Sequence, residues 1–407
     1  MTPPPLYDLS PLAQLLLVGL LLALMAVAWV SLRHPPRGRL QWRCRLTALT
    51  LFLTFDLVLV GAFTRLTDSG LGCPDWPGCY GSASPLGAQA PISAAQAQLP
   101  SGPVTHTKAW IEMVHRYLAT AVGALILGLA LLAWPRGGAS PGADPPGWRL
   151  PWLTLVWVCV QGAFGALTVT MKLFPAIVTL HLLCGVLLLA LLVWQFERLR
   201  RVEGALAQVP LDRPTRAWLV LGCLVLVLQV ALGGWVSTNY AVLACTDFPL
   251  CQQSWWPPMR FDEGFALWRP LGLNTQGDHI PFAALTAIHY VHRAFALLVL
   301  LVLAPLAWRL AAVDGLRWGA AWLAGLLALQ LATGLANVVL GWPLLAAVLH
   351  SSGAAALVGL LSWMLSRSVV VDARRTARWP VREASAVSRR AAPKAHSPEA
   401  RSAKVLQ

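Results

Sequence analysis

The sequence predicts an all-α integral membrane protein: two parallel-repeat four-helix bundles plus one extra N-terminal transmembrane helix, about nine spans in all. Three observations carry the prediction, namely a scarcity of charge, apolar runs of bilayer length and an internal repeat. Of 407 residues only 12% are charged and 57% are hydrophobic, and the mean hydropathy is +0.62. Soluble domains carry about 25% charge, so a water-soluble protein, a receptor with a large soluble domain and a disordered chain are all excluded. The 20 Trp suit membrane interfaces, where an amphipathic ring sits at headgroup level. The 8 Cys are too thinly spread for a disulfide scaffold. The basic excess belongs to membrane topology, with lipid as the partner and nucleic acid excluded.

Apolar stretches long enough to cross a bilayer run about Leu12 to Leu32, Leu46 to Thr64, Ala109 to Trp134, Pro151 to Met171, Ala176 to Phe196 and Ala217 to Val236, then Pro281 to Trp308, Trp318 to Leu340 and Leu344 to Leu365. The first lacks a preceding basic stretch and reads as a signal-anchor-like span rather than a cleaved leader. Of the 31 basic residues, 24 fall in one alternating set of loops and tail, five (Arg65, Lys108, Lys172, Arg260, Arg269) in the other, and Arg116 and Arg293 inside spans. The positive-inside rule then sets the N-terminus outside and the C-terminus in the cytoplasm. A bacterial inner membrane is expected, because no Arg- and Ser-rich transit segment precedes the first span. The basic tail from Arg367 is expected to be disordered.

Two outer loops, Arg65 to Lys108 and Thr238 to Asp278, exceed simple connections and are either tethers or functional. Each carries a cysteine pair, Cys73/Cys79 and Cys245/Cys251, whose spacing on an oxidising face permits a disulfide. Metal binding is the weaker alternative, since no His accompanies either pair nearby. Cys44, Cys159, Cys184 and Cys223 read as small packing residues.

The loops also reveal the repeat. Gly61 to Cys79 aligns without a gap on Gly233 to Cys251, matching Cys73 with Cys245, Asp75 with Asp247, Pro77 with Pro249 and Cys79 with Cys251. Val114-His115-Arg116 then meets Val291-His292-Arg293, Gln161, Ala163 and Gly165 meet Gln330, Ala332 and Gly334, and Leu180-His181 meets Leu349-His350. The unit has an even number of spans, so both copies enter from one side and are related by an axis along the membrane normal. The expected division is an added helix and basic loop over residues 1–43, four-helix halves over 44–200 and 201–366, and the tail over 367–407.

The spans contain His115, His181, His289, His292 and His350. Ionisable groups in hydrocarbon are costly and are functional candidates, although a single His can merely bridge two helices. Four at repeated positions, on the second and fourth helices of each bundle, match the way bundles present cofactor ligands from facing helices. Two imidazoles with no carboxylate or thiolate between them suit the axial positions of a haem better than tetrahedral zinc. At about 1.5 Å per residue, all four histidines lie in the outer half of the membrane.

Glu112 and His289 occupy the same position in the two copies, so symmetry breaks there. Glu112 lies one turn before His115 on the same helix face. A desolvated carboxyl beside one haem only is a candidate proton acceptor, the alternative being a hydrogen bond without chemistry. The asymmetry expects one haem to be reacted upon and the other to serve as redox cofactor. Arg116 and Arg293 are candidates for propionate contacts or, equally, for ion pairs at helix interfaces.

These residues carry a resemblance. TRLTDSGLGCPDWPGCYG from Thr64 to Gly81, EMVHR from Glu112 to Arg116, and the histidine dipeptides ending at His181, beginning at His292 and ending at His350 resemble the heme A synthase family of bacteria and mitochondria. The match covers about Leu46 to Leu365. The resemblance implies an eight-helix enzyme that oxidises the C8 methyl of heme O to a formyl group, giving heme A for cytochrome oxidase. It implies that His115 and His181 hold the substrate haem, that His292 and His350 hold heme b, and that Glu112 acts at the reacting methyl. Implied partners are the heme O-forming enzyme, cytochrome oxidase assembly factors and a thiol-disulfide partner for the outer loops. The added first helix departs from the family pattern, and His289 receives no role from it. The rival readings are a di-haem cytochrome passing electrons between quinol and an acceptor, and a transporter without haem.

Overall fold

In the computed structural model, residues 9–135, 147–205 and 207–370 are described. Among them nine helices are long and apolar enough to cross a membrane: α1 (Ser10–Arg33), α2 (Arg39–Leu66), α4 (His106–Ala133), α5 (Arg149–Thr170), α6 (Pro175–Val202), α7 (Arg213–Thr238), α9 (Phe282–Ala311), α10 (Arg317–Val339) and α11 (Leu344–Arg367). The short helices α3 (Gln89–Gln98) and α8 (Phe261–Gly264) lie in the two long outer loops. The chain is an all-α, multi-pass membrane protein.

Several of these helices start where the backbone asks them to. Proline occupies the first turn of α1, α6 and α7, where its missing N–H costs nothing. The Thr105 hydroxyl caps α4 by accepting from the Lys108 N–H at 3.2 Å. Helices exceed the apolar runs, most clearly in α2, which begins at Arg39 rather than near Leu46. Apolarity reports the hydrocarbon crossing, whereas the helix continues until its backbone meets water and headgroups.

The helices pack in the pairs that the repeat requires: α2 on α4 and α5 on α6, then α7 on α9 and α10 on α11. Helix α6 joins the two sets by packing on both α7 and α11, and α11 also reaches α2. A buried core around Leu219, Leu303, Leu306, Leu310 and Leu323 fills the second set, and one around Leu125, Ile126, Leu129 and Leu192 fills the first. Helix α1 lies along α4 and buries the i, i+4 stripe Pro11, Leu15, Gly19 and Ala23. A Cβ on Gly19 would fall 2.2 Å from Thr120 Oγ1, so the small residue permits the close approach that holds the added helix.

The chain does not become irregular at residue 367. Arg367 ends α11, and β2 (Ser368–Val370) pairs in parallel with β1 (Val209–Leu211). Pairing of backbone groups with an earlier strand ties this stretch down, a non-local contact that its composition does not announce. The rest of the expected disordered tail lies outside the described residues.

Both outer loops are folded, which overturns the tether alternative. Cys73–Cys79 and Cys245–Cys251 are disulfide-bonded. Asp75 accepts from the N–H groups of Tyr80 (2.6 Å) and Gly81 (2.8 Å). Asp247 repeats the turn with Gln252 and Gln253, both at 2.8 Å. Each loop places an X-Pro cis bond between its cysteines, at Trp76-Pro77 and Phe248-Pro249.

Candidate functional site

Each of the four repeated histidines is set against a glycine on the neighbouring helix. A Cβ on Gly61 (α2) would lie 2.9 Å from Cε1 of His115 (α4), and one on Gly233 (α7) 3.0 Å from Cε1 of His292 (α9). The same holds for Gly165 (α5) against His181 (α6) and Gly334 (α10) against His350 (α11), both at 3.2 Å. Any larger residue would push the ring away, so glycine here fixes ring position by allowing contact. His115 and His181 are close enough to interact through space, as are His292 and His350. The structure thus brings together the two pairs that the sequence singles out.

The surroundings of the pairs differ. In the first, Nδ1 of His115 and Nδ1 of His181 are buried without a hydrogen-bond partner, and the Gln161 amide nitrogen stands 3.5 Å from Nε2 of His181. In the second, Nδ1 of His350 is 3.0 Å from the Thr333 hydroxyl and Nδ1 of His292 is 3.2 Å from the Gln229 side-chain amide. Gln330 donates to the His350 carbonyl at 3.0 Å.

The histidine pairs pass a chemical test for haem. Each offers two imidazoles on facing helices, with the rings cradled by glycine and kept half-buried. Among the described residues no group of three or more His, Cys, Asp or Glu could enclose a metal ion. Two imidazoles alone under-coordinate zinc but complete the axial positions of a porphyrin-bound iron.

Glu112 is buried and bound on both oxygens. It accepts the Cys73 N–H at 2.8 Å and an Arg116 N–H at 2.5 Å. Arg116 in turn donates to the carbonyls of Asp75, Pro77 and Gly78, so the Glu112–Arg116 pair clamps the first disulfide loop onto α4. His289 fills the equivalent place in the second repeat, where its Nδ1 accepts the Cys245 N–H at 3.3 Å. Arg293 likewise donates to the carbonyls of Pro249 and Leu250 at 3.2 and 3.0 Å, and its Nη1 remains buried without a partner. His289 therefore has a role that the sequence leaves open, as the acceptor for the loop's first cysteine.

Sequence reasoning recorded the glycine matches but gave them no part in the site. The repeat pairs Gly61 with Gly233 and Gly165 with Gly334, but nothing in the sequence sets them against the histidines. That reasoning passed over Asp56 altogether, a carboxylate in the middle of α2 on the stripe shared with the exposed Phe52 and Phe63. One charge inside an apolar run does not break a length criterion, which hides it. Cys44 is buried as expected, whereas Cys159 is exposed and Cys184 and Cys223 are intermediate.

The geometry agrees with what the chain is similar to. A family model described as "Cytochrome oxidase assembly protein" (COX15-CtaA) matches residues 44–362. The chain belongs to this family. Curated relatives of the chain include proteins named heme A synthase, of which that of Shewanella oneidensis is 37% identical over 322 residues, covering 79% of this chain and 94% of the relative. The heme A synthase of Bradyrhizobium sp. (strain ORS 278) is 30% identical and covers 81% of this chain and 91% of the relative. That of Rhizorhabdus wittichii is 27% identical over 77% and 90%. The family match begins at the start of the first repeat and leaves α1 outside it.

Proposed function

We propose that this protein is a heme A synthase, a membrane oxidoreductase that converts the C8 methyl of heme O to a formyl group in two rounds through a hydroxymethyl stage. The observation that carries the reading is the pair of matched histidine sites with unlike neighbours, one flanked by Glu112 and the other by His289. In this reading the half over 44–200 takes the substrate haem on His115 and His181, and the half over 201–366 keeps heme b on His292 and His350. Bound heme b supplies a one-electron redox centre beside the substrate site.

The chain's own residues supply position and proton handling. Gly61 and Gly165 fix the two substrate-side rings, which sets where the porphyrin edge lies. Glu112 sits one turn from His115 with its charge balanced by Arg116, and accepts a proton released as the methyl is oxidised. The disulfide loop held by Glu112 and Arg116 covers the outer end of α4 and limits water. Arg293, with a free buried N–H, is the better placed of the two arginines for a propionate; Arg116 is occupied by the loop.

The basic side of the bundle faces the cytoplasm of a bacterial cell and the disulfide loops face outward, with the N-terminus outside, in keeping with the split of Arg and Lys. The expected partners are the heme O-forming enzyme, assembly factors of the oxidase and, at the outer loops, a thiol-disulfide partner. The test is co-expression with a heme O source, followed by pigment extraction. Heme A is expected from the native chain and is lost in His115→Ala and His181→Ala. Bound haem without any heme A would instead support the di-haem cytochrome, and no bound haem would support the transporter.

A further inference from the structure

The repeat aligns Gln229 with Leu57 and Thr333 with Phe164, four residues before Gly233/Gly61 and one before Gly334/Gly165. These two polar-for-apolar differences account for the unlike hydrogen bonding of the histidine pairs. The Thr333 hydroxyl donates to the Leu329 carbonyl at 2.7 Å, so its remaining capacity toward His350 Nδ1, 3.0 Å away, is that of an acceptor. Nδ1 of His350 must then carry the proton, and Nε2 presents its lone pair. At His292 the Gln229 amide lies 3.2 Å from Nδ1 while its Oε1 is buried without a partner. The same nitrogen donates to the His292 carbonyl at 3.3 Å, so the carboxamide turns its N–H groups toward the ring and offers Nδ1 no acceptor. No hydroxyl like that of Thr333 serves His115 or His181, whose Nδ1 atoms have no hydrogen-bond partner.

We infer that Thr333 is a positioning residue that holds His350 through Nδ1, so that the second pair retains its haem while the first pair, with Phe164 in that place, binds a haem that exchanges. A hydrogen bond from Nδ1 fixes the tautomer, restrains ring rotation and makes the imidazole a more basic iron ligand. This is the arrangement for a resident cofactor. A site that must load substrate and discharge product is served by rings held only by packing against glycine.

The inference rests on the haem reading above, and its test separates the two. Full-length protein carrying both haems is mixed with excess apomyoglobin, and loss of b-type and O- or A-type haem is followed separately by pyridine haemochrome spectra. In the native chain the b-type haem is expected to leave more slowly. Thr333→Val should speed its release about 10- to 100-fold, the usual effect of removing a ligand's outer partner. It should also raise the midpoint potential, since a less basic imidazole stabilises ferric iron less. Thr333→Ser should restore both values, and the haem content of the His115/His181 pair before apomyoglobin is added reports correct folding. Phe164→Thr should slow release from the first pair. A release rate and potential unchanged in Thr333→Val would overturn the inference alone. Native protein that binds no haem would overturn the haem reading with it.

Discussion

The two repeats hold four histidines against four glycines in the same way, yet their polar surroundings are opposite. Around His115 and His181 the polar chemistry is concentrated at the loop, in the buried Glu112–Arg116 pair, and the rings are unsupported at Nδ1. Around His292 and His350 the loop is held by a neutral imidazole, His289, and the rings have polar partners. The scaffold that holds the rings is common to both repeats, and in the proposed reading the residues that differ separate a reactive site from a retaining one.

The largest expected effect comes from exchanging the residues at the asymmetric position. Glu112→Gln can still accept the Cys73 N–H but cannot take up a proton, so heme A formation per folded, haem-loaded molecule should fall about 10²- to 10⁴-fold, alongside a lower melting temperature from the uncompensated Arg116. His289→Gln should leave formation within a few-fold of the native rate. Equal effects at both positions, read from extracted pigments, would remove the functional distinction and leave two loop anchors.

The glycines sharpen the comparison site by site. Gly61→Ala should displace His115 and lower occupancy of the substrate haem only, while Gly233→Ala should displace His292 and lower heme b only. Overpacking of this kind costs about 1–3 kcal/mol, enough for a clear loss in haem content. Loss of both haems from either variant would mean that the two sites do not act separately.

The loops should respond alike to losing their staples. Cys73→Ser and Cys245→Ser each open a short loop, at a cost of about 2 kcal/mol visible as a lower melting temperature. If Cys73→Ser also slows heme A formation beyond that loss, the Glu112 clamp transmits the loop's state to the substrate site.

The smallest effect is one of pH. The N–H groups of Gln253 and Gln252 hold the Asp247 carboxyl below the usual aspartate range. A depressed folded value means that its contribution is complete above the ordinary aspartate pKa and is lost as pH falls through the lowered one. Hydrogen exchange at Gln252 and Gln253 should therefore rise only at strongly acidic pH, and Asp247→Asn should abolish that dependence.

How much of this was legible varies with the range of the interaction. His115, His181, His292 and His350 stood out because a charged or polar group in an apolar run has few innocent explanations. The cysteine pairs and Asp75/Asp247 stood out because the two loops align without a gap. Thr333, Gln229 and the four glycines were invisible as site residues, since a hydroxyl, an amide or a missing side chain gains meaning only from the ring placed against it. The docking of α1 on α4 depends on a stripe of small residues that any apolar helix can contain.

The sequence by itself determined the membrane class, the spans, the repeat and the four histidines, because bilayer thickness and the cost of buried charge act on composition and period alone. Only the tertiary structure decided that Glu112 and Arg116 grip a disulfide loop, that His289 does the same work without charge, and that His350 is held at Nδ1 while His115 and His181 are not. Those distinctions depend on distances of about 3 Å between residues far apart in the chain, and hydrogen bonds act only at that range.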